Sequence, residues 1–283
     1  MRMSRKRWIR FTSVVMVLGS LGLMSLSERL EAATLRPIFR QQQTPITLTK
    51  QPLIMVPGTG GTIDRFDGLI QTLQQTTDSS VIKVQVNTDE TVTTSGKLRA
   101  NTQPLIVIAF EDPSDRALPL QGKWYQIGLA YLKKQYSFDT YTFLGHSNGG
   151  LVLTQYLEDQ YTTADPKLVR AMTLGTPFND MDDRYNANQI TFDTPQEYSA
   201  QLTNYLANQT RIPELDFLNV IGDTGEATDD VVEMTSVLAG RLLYQDQGDY
   251  QEKIITSDAQ HSALVENLEV VDLIHHFLWQ ENK

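Results

Sequence analysis

The chain has 283 residues, 40% of them hydrophobic, with 24 Lys/Arg against 34 Asp/Glu and no cysteine. That length and apolar content suit one large folded domain and exclude a disordered polymer. A net charge of −10 disfavours nucleic acid as a partner, and the lack of thiols excludes a cysteine nucleophile, a disulfide framework and a thiolate metal site.

The N-terminus departs from this acidic character. Arg2, Arg5, Lys6, Arg7 and Arg10 precede an uncharged apolar stretch from Phe11 to Leu26. A basic segment followed by a short apolar run is the pattern of a secretory signal. The run is shorter than the ~20 residues a spanning helix usually needs. Residues 1–33 therefore read as a signal peptide or an N-terminal membrane anchor, and the protein as secreted or held at the cell surface. These residues hold six of the Lys/Arg and two of the Asp/Glu, so the remainder is net −14. Residues 34–50 are polar and read as a spacer before a domain at 51–283.

Within that domain, short apolar runs recur at Leu53 to Val56, Leu105 to Phe110, Tyr141 to Leu144, Val169 to Leu174, Phe217 to Ile221 and Lys253 to Ile255. Continuous apolar runs of this length suit strands covered on both faces. Val81 to Val86 alternates and runs into Thr91-Val92-Thr93, which predicts an appended hairpin. Helical patterns follow at Trp124 to Tyr136, after Leu151, and at Val270, Ile274, Phe277 and Leu278. Strands alternating with helices predict a mainly parallel α/β sheet. Residues 179–213 carry Tyr185, Phe192, Tyr198 and Tyr205 but no strand signal, and predict a small helical cap.

The chemistry concentrates at Gly145-His146-Ser147-Asn148-Gly149, which follows one predicted strand and opens a helix. This is G-x-S-x-G in its strand–turn–helix setting, the nucleophile elbow of the α/β-hydrolase fold. A sharp turn raises the Ser147 hydroxyl above the sheet, and the helix N-terminus offers N–H groups where an oxyanion would form. Asn148, directly after the nucleophile, supplies one such N–H. The loop Pro57-Gly58-Thr59-Gly60-Gly61-Thr62 after the first strand supplies another, with Thr59 preferred and Gly60 a close competitor. A serine needs a base to take its proton. Of the four histidines, His146 adjoins the serine and should point elsewhere, and His275 and His276 lie inside the last helix. His261 stands in a loop after the last strand, in the Ser…Asp…His order of the fold. The acid that orients it should follow the strand Phe217 to Ile221. Asp229 is preferred over Asp230 and Asp223.

These motifs resemble those of the cell-surface α/β-hydrolases of Gram-positive bacteria, a family of otherwise unknown function. Residues 57–62, the elbow through Gly150, Gly175-Thr176-Pro177-Phe178-Asn179, Thr228-Asp229-Asp230-Val231, His261-Ser262-Ala263-Leu264 and Phe277-Leu278-Trp279 carry the resemblance. It implies a Ser147, Asp229, His261 triad in a surface or secreted setting. Three positions depart: Pro57 stands where the family usually has His, Asn148 where it often has Met, and Asp230 where it favours Gly. The expected activity is hydrolysis of a small-molecule or lipid carboxylic ester through an acyl-enzyme, with no metal or organic cofactor. The rival readings are a non-catalytic surface binding protein that keeps the fold, and acyl transfer to an acceptor other than water.

Overall fold

The computed structural model describes residues 44–186 and 194–279. The expected signal segment at residues 1–33, residues 34–43 of the expected spacer and residues 187–193 of the expected cap lie outside the described residues.

Among the described residues ten strands run in chain order. They are β1 Ile46–Thr47, β2 Leu53–Val56, β3 Ser79–Val86, β4 Val92–Gly96, β5 Gln103–Phe110, β6 Tyr136–Ser137, β7 Thr140–His146, β8 Lys167–Leu174, β9 Asp216–Gly222 and β10 Tyr250–Ile255. Eight form one sheet in the order β10-β9-β8-β7-β2-β5-β3-β4, and only the β3–β4 pair is antiparallel. From β2 the chain runs out to β3 and β4, returns to place β5 beside β2, and then crosses to the other side of β2 to add β7, β8, β9 and β10 outward. A crevice therefore opens beside β2 at the carboxyl edge, where an open α/β sheet binds its ligands.

The principal helices are α1 Asp67–Thr76, α2 Leu118–Gln135, α3 Asn148–Gln155, α4 Asp183–Asn186, α5 Ala200–Asn208, α6 Met234–Leu238, α7 Gly240–Tyr244 and α8 Leu268–Leu273. They cover both faces of the sheet. Side chains alternate along a strand, so Ile54 and Val56 of β2 pack on one side with Tyr125, Leu129 and Val152 of α2 and α3. Leu53 and Met55 pack on the other with Leu69, Leu73 and Val270 of α1 and α8. All four β2 residues are buried, which is why its sequence shows an unbroken apolar run. The fold is that of an α/β-hydrolase.

Three expectations change. β3 is an integral strand paired in parallel with β5 over eight positions, and the hairpin to β4 only extends the sheet. Its alternation arises because every second residue from Lys83 is half-buried near the sheet edge. The spacer ends earlier than expected: Ile46 and Thr47 pair with Tyr136 and Ser137, and Leu48 is buried. The last helix is regular only through Leu273 and widens into a π turn at Ile274–Leu278. Among the described residues no helix is long and apolar enough to cross a membrane.

Candidate active site

Five neighbouring strands deliver the site residues to one edge. β7 ends at His146, and Ser147 turns the chain into α3 with φ 55° and ψ −131°. Few non-glycine residues adopt such angles, and residues that do so are held there by their surroundings. The hold is visible on both sides. Ser147 N donates to Leu174 O at the end of β8, at 2.8 Å, and the Thr176 hydroxyl donates to Ser147 O at 2.9 Å. The glycines around the elbow are there for space. A Cβ on Gly58 would lie 2.5 Å from Ser147 Cβ, and one on Gly145 would lie 2.7 Å from Gly150 N.

The loop after β10 carries His261 and the loop after β9 carries Asp229. His261 Nδ1 lies 2.6 Å from Asp229 Oδ2. The carboxylate is almost fully buried, at 1% exposure. Its Oδ1 accepts from Val231 N at 3.1 Å and Val232 N at 2.7 Å. Its main chain is engaged too, since His261 N donates to Asp229 O at 2.8 Å. A buried carboxylate held by this many donors is fixed in place and orients the ring. Gly175 fits between the two loops, and a Cβ there would fall 2.6 Å from Asp229 Oδ2 and 3.0 Å from His261 Nδ1. Gly175 directly follows Leu174, which holds Ser147, so the acid, the imidazole and the elbow share one neighbourhood. Ser147 Oγ makes no hydrogen bond among the described residues. In unliganded hydrolases that contact commonly tightens only when substrate binds.

The other candidates go elsewhere. Asp223 Oδ1 accepts from Gly225 N and Ala227 N within its own turn. Asp230 accepts from the Thr224 hydroxyl. His275 packs edge-on against Trp279 in the C-terminal turn. His146 points at the His261 loop: its ring lies 4.6 Å from the His261 ring, and its Nε2 is 2.9 Å from His261 O. Burial, with His261 alongside, pushes the His146 imidazole down to about 3, so it is neutral near pH 7. A carbonyl only accepts, which places the His146 proton on Nε2.

The two candidate oxyanion donors are separated by their hydrogen bonds. Gly60 N donates to Pro113 O at 2.9 Å, whereas Thr59 N–H makes no hydrogen bond among the described residues. Asn148 is the first residue of α3, so its N–H has no partner inside the helix.

The family described as alpha/beta hydrolase of unknown function (DUF915) matches residues 41–281. The chain belongs to this family. Two solved structures are similar to this hydrolase. The lin2722 gene product of Listeria innocua is 29% identical with a TM-score of 0.74, over 83% of this chain and 96% of that one. A protein of Lactobacillus plantarum WCFS1, whose description proposes a cell surface hydrolase, is 32% identical with a TM-score of 0.70, over 83% and 93%. No curated protein matches the chain.

Two departures of this hydrolase from its family have structural counterparts. The Asn148 side chain donates to Thr59 Oγ1 at 2.6 Å and to Asp115 Oδ1 at 2.9 Å, and the Thr59 hydroxyl donates to the same Asp115 oxygen. Methionine could donate neither of the two Asn148 hydrogen bonds. They tie the loop after β2 to the elbow. Asp230 sits at φ 72°, the left-handed region that glycine enters freely and Asp tolerates better than most residues. Asp115 is a residue that the sequence gives no reason to single out. It lies 32 positions before Ser147 in an ordinary Ser-Asp-Arg turn, and only its bonds to Thr59 and Asn148 mark it.

Proposed function

We propose that this protein is an exported serine hydrolase that cleaves carboxylic esters through an acyl-enzyme, with Ser147 as nucleophile, His261 as base and Asp229 as the acid that orients it. The observation that carries this reading is the 2.6 Å contact between His261 Nδ1 and a buried, backbone-held Asp229, beside a strained serine elbow. His261 Nδ1–H donates to the carboxylate, so Nε2 is free to accept the Ser147 proton. Ser147 Oγ attacks the ester carbonyl, and the Thr59 and Asn148 N–H groups receive the charge that develops on its oxygen. The tetrahedral intermediate collapses, and His261 returns the proton to the departing alcohol. Water, deprotonated by the same imidazole, then releases the acid. No step calls on a metal or organic cofactor. Export is supported by the basic, apolar N-terminus and by the description of the Lactobacillus relative.

The test is a panel of p-nitrophenyl esters of rising chain length with wild type, Ser147→Ala and His261→Ala. Hydrolysis by wild type alone, with fluorophosphonate labelling that needs Ser147, is the expected result. Equal rates in all three proteins would overturn the mechanism.

A further inference from the structure

A second polar cleft opens beside the oxyanion loop. Its volume is about 380 Å³, and Asp115, Gln155, Glu158, Asp159, Asn204 and Tyr205 line it. It lies between the start of α2, the end of α3 and the cap helix α5. Asp115 belongs both to this cleft and to the network that holds Thr59 and Asn148, so the cleft borders the proposed oxyanion donors.

One carboxyl on its wall has no hydrogen-bond partner among the described residues. Glu158 is only 5% exposed, and neither of its carboxyl oxygens has a partner among the described residues; Oε1 is fully enclosed. Gln155, one helical turn earlier, also has an enclosed Oε1 without a donor, while its amide nitrogen is turned to the Tyr205 hydroxyl at 3.3 Å. Buried acceptors in native proteins are nearly always satisfied, and those that are not call for an explanation. Two of them border one cleft here. The charges agree. Three carboxyl side chains line the cleft and no basic one does. Arg211 reaches only the edge, 3.5 Å from Asp159 Oδ1 and 3.4 Å from the Glu158 carbonyl. Among the described residues no three carboxyl or histidine groups converge to hold a metal ion.

We propose that this cleft receives a protonated amino group carried by the ester substrate, so that the enzyme prefers esters with a cationic arm. The proposal rests on the hydrolase reading for the position of the cleft beside the nucleophile. The ammonium N–H groups donate to the unpartnered Glu158 carboxyl through its less enclosed oxygen, and Asp115 and Asp159 add charge across the cleft. Burial, reinforced by Asp159 and opposed by Arg211, pushes the Glu158 carboxyl up to about 8. The free protein therefore holds Glu158 neutral at pH 7. An arriving cation favours its ionised form, so binding releases a proton to solvent. The groups facing Glu158 are Asp159 on its own turn, Arg211, Tyr205 and Tyr244 from the elements packed on it, and Asp115 across the cleft.

Calorimetric titration of the full chain with hexylammonium chloride and with 1-hexanol, at pH 7 in two buffers of different ionisation heat, reads this without turnover. The expected result is at least about tenfold tighter binding of the ammonium, as befits hydrogen bonds to a charged group, with proton release. Glu158→Gln, checked for folding by its melting temperature, weakens that binding at least about tenfold and removes the proton release. Equal binding of the two ligands, or no proton release by wild type, overturns the proposal even if the variant fails to fold. The p-nitrophenyl panel separately decides whether the chain is a hydrolase, so the two ideas fail independently.

Discussion

Ser147 carries conformational strain that only its surroundings impose. Angles of 55° and −131° cost a non-glycine residue about 1–3 kcal/mol, while glycine adopts them freely at a cost of about 0.5–1 kcal/mol in unfolded-state entropy. Ser147→Gly is therefore expected to abolish ester cleavage and to raise stability by about 1 kcal/mol. Thermal melting beside an activity assay checks both, and a lower melting temperature would show that the elbow is unstrained. Asp229 is the second residue-scale case. In Asp229→Asn the amide oxygen can still accept from Val231 and Val232, which turns the NH₂ toward His261. That NH₂ forces the ring into the tautomer with its proton on Nε2, where it cannot accept from serine. A loss in kcat on the order of 10⁴-fold with little change in KM is expected. The choice of Asp229 over Asp223 and Asp230 was open in the sequence, because three aspartates within eight positions look alike until their partners are known.

At the scale of elements, the elbow and the loop after β2 must approach more closely than side chains allow. A Cβ on Gly58 would stand 2.5 Å from Ser147 Cβ and 2.8 Å from the His146 carbonyl. Gly58→Ala is expected to push the loop away from Ser147, costing about 1–3 kcal/mol of stability and lowering kcat more than KM, because the Thr59 N–H loses its place. Steady-state kinetics and melting together test this, and an unchanged kcat would remove Thr59 from the mechanism. The same scale shows where sequence patterns succeed. β2, β5, β7, β8 and β9 are buried on both faces, and their apolar runs mark them plainly. β3 is read as a hairpin arm because partial exposure gives it alternation, although it pairs in parallel with β5. α1 has no recognised signal, since Leu69, Ile70 and Leu73 are its only buried residues among Gln, Thr and Asp.

For the molecule as a whole, two buried groups pull pH stability in opposite directions. His146 falls to about 3 in the folded chain from an ordinary 6.5. The unfolded chain therefore gains a proton first as pH drops below 6.5, and stability is lost from there toward pH 3. Glu158 rises to about 8 from 4.5. The folded chain keeps a proton that the unfolded chain has released, and stability is lost as pH rises from 4.5 to 8. Between 4.5 and 6.5 the two trends offset. Glu158→Gln should match wild type near pH 4 and melt a few °C higher near pH 8.5. A melting series across pH checks it, and an equal gain at both ends would mean that the carboxyl does not titrate as described.

The sequence by itself determined the layered fold, the elbow serine and the single loop histidine, because burial on both faces and a glycine-framed turn leave marks in local order. Tertiary structure decided which carboxylate meets the imidazole, that Gly60 rather than Thr59 spends its N–H on Pro113, and that Asp115 joins the loop after β2 to the elbow. Those are contacts between loops at the ends of different strands, and distance along a chain carries no information about which hydrogen bonds form across a sheet edge.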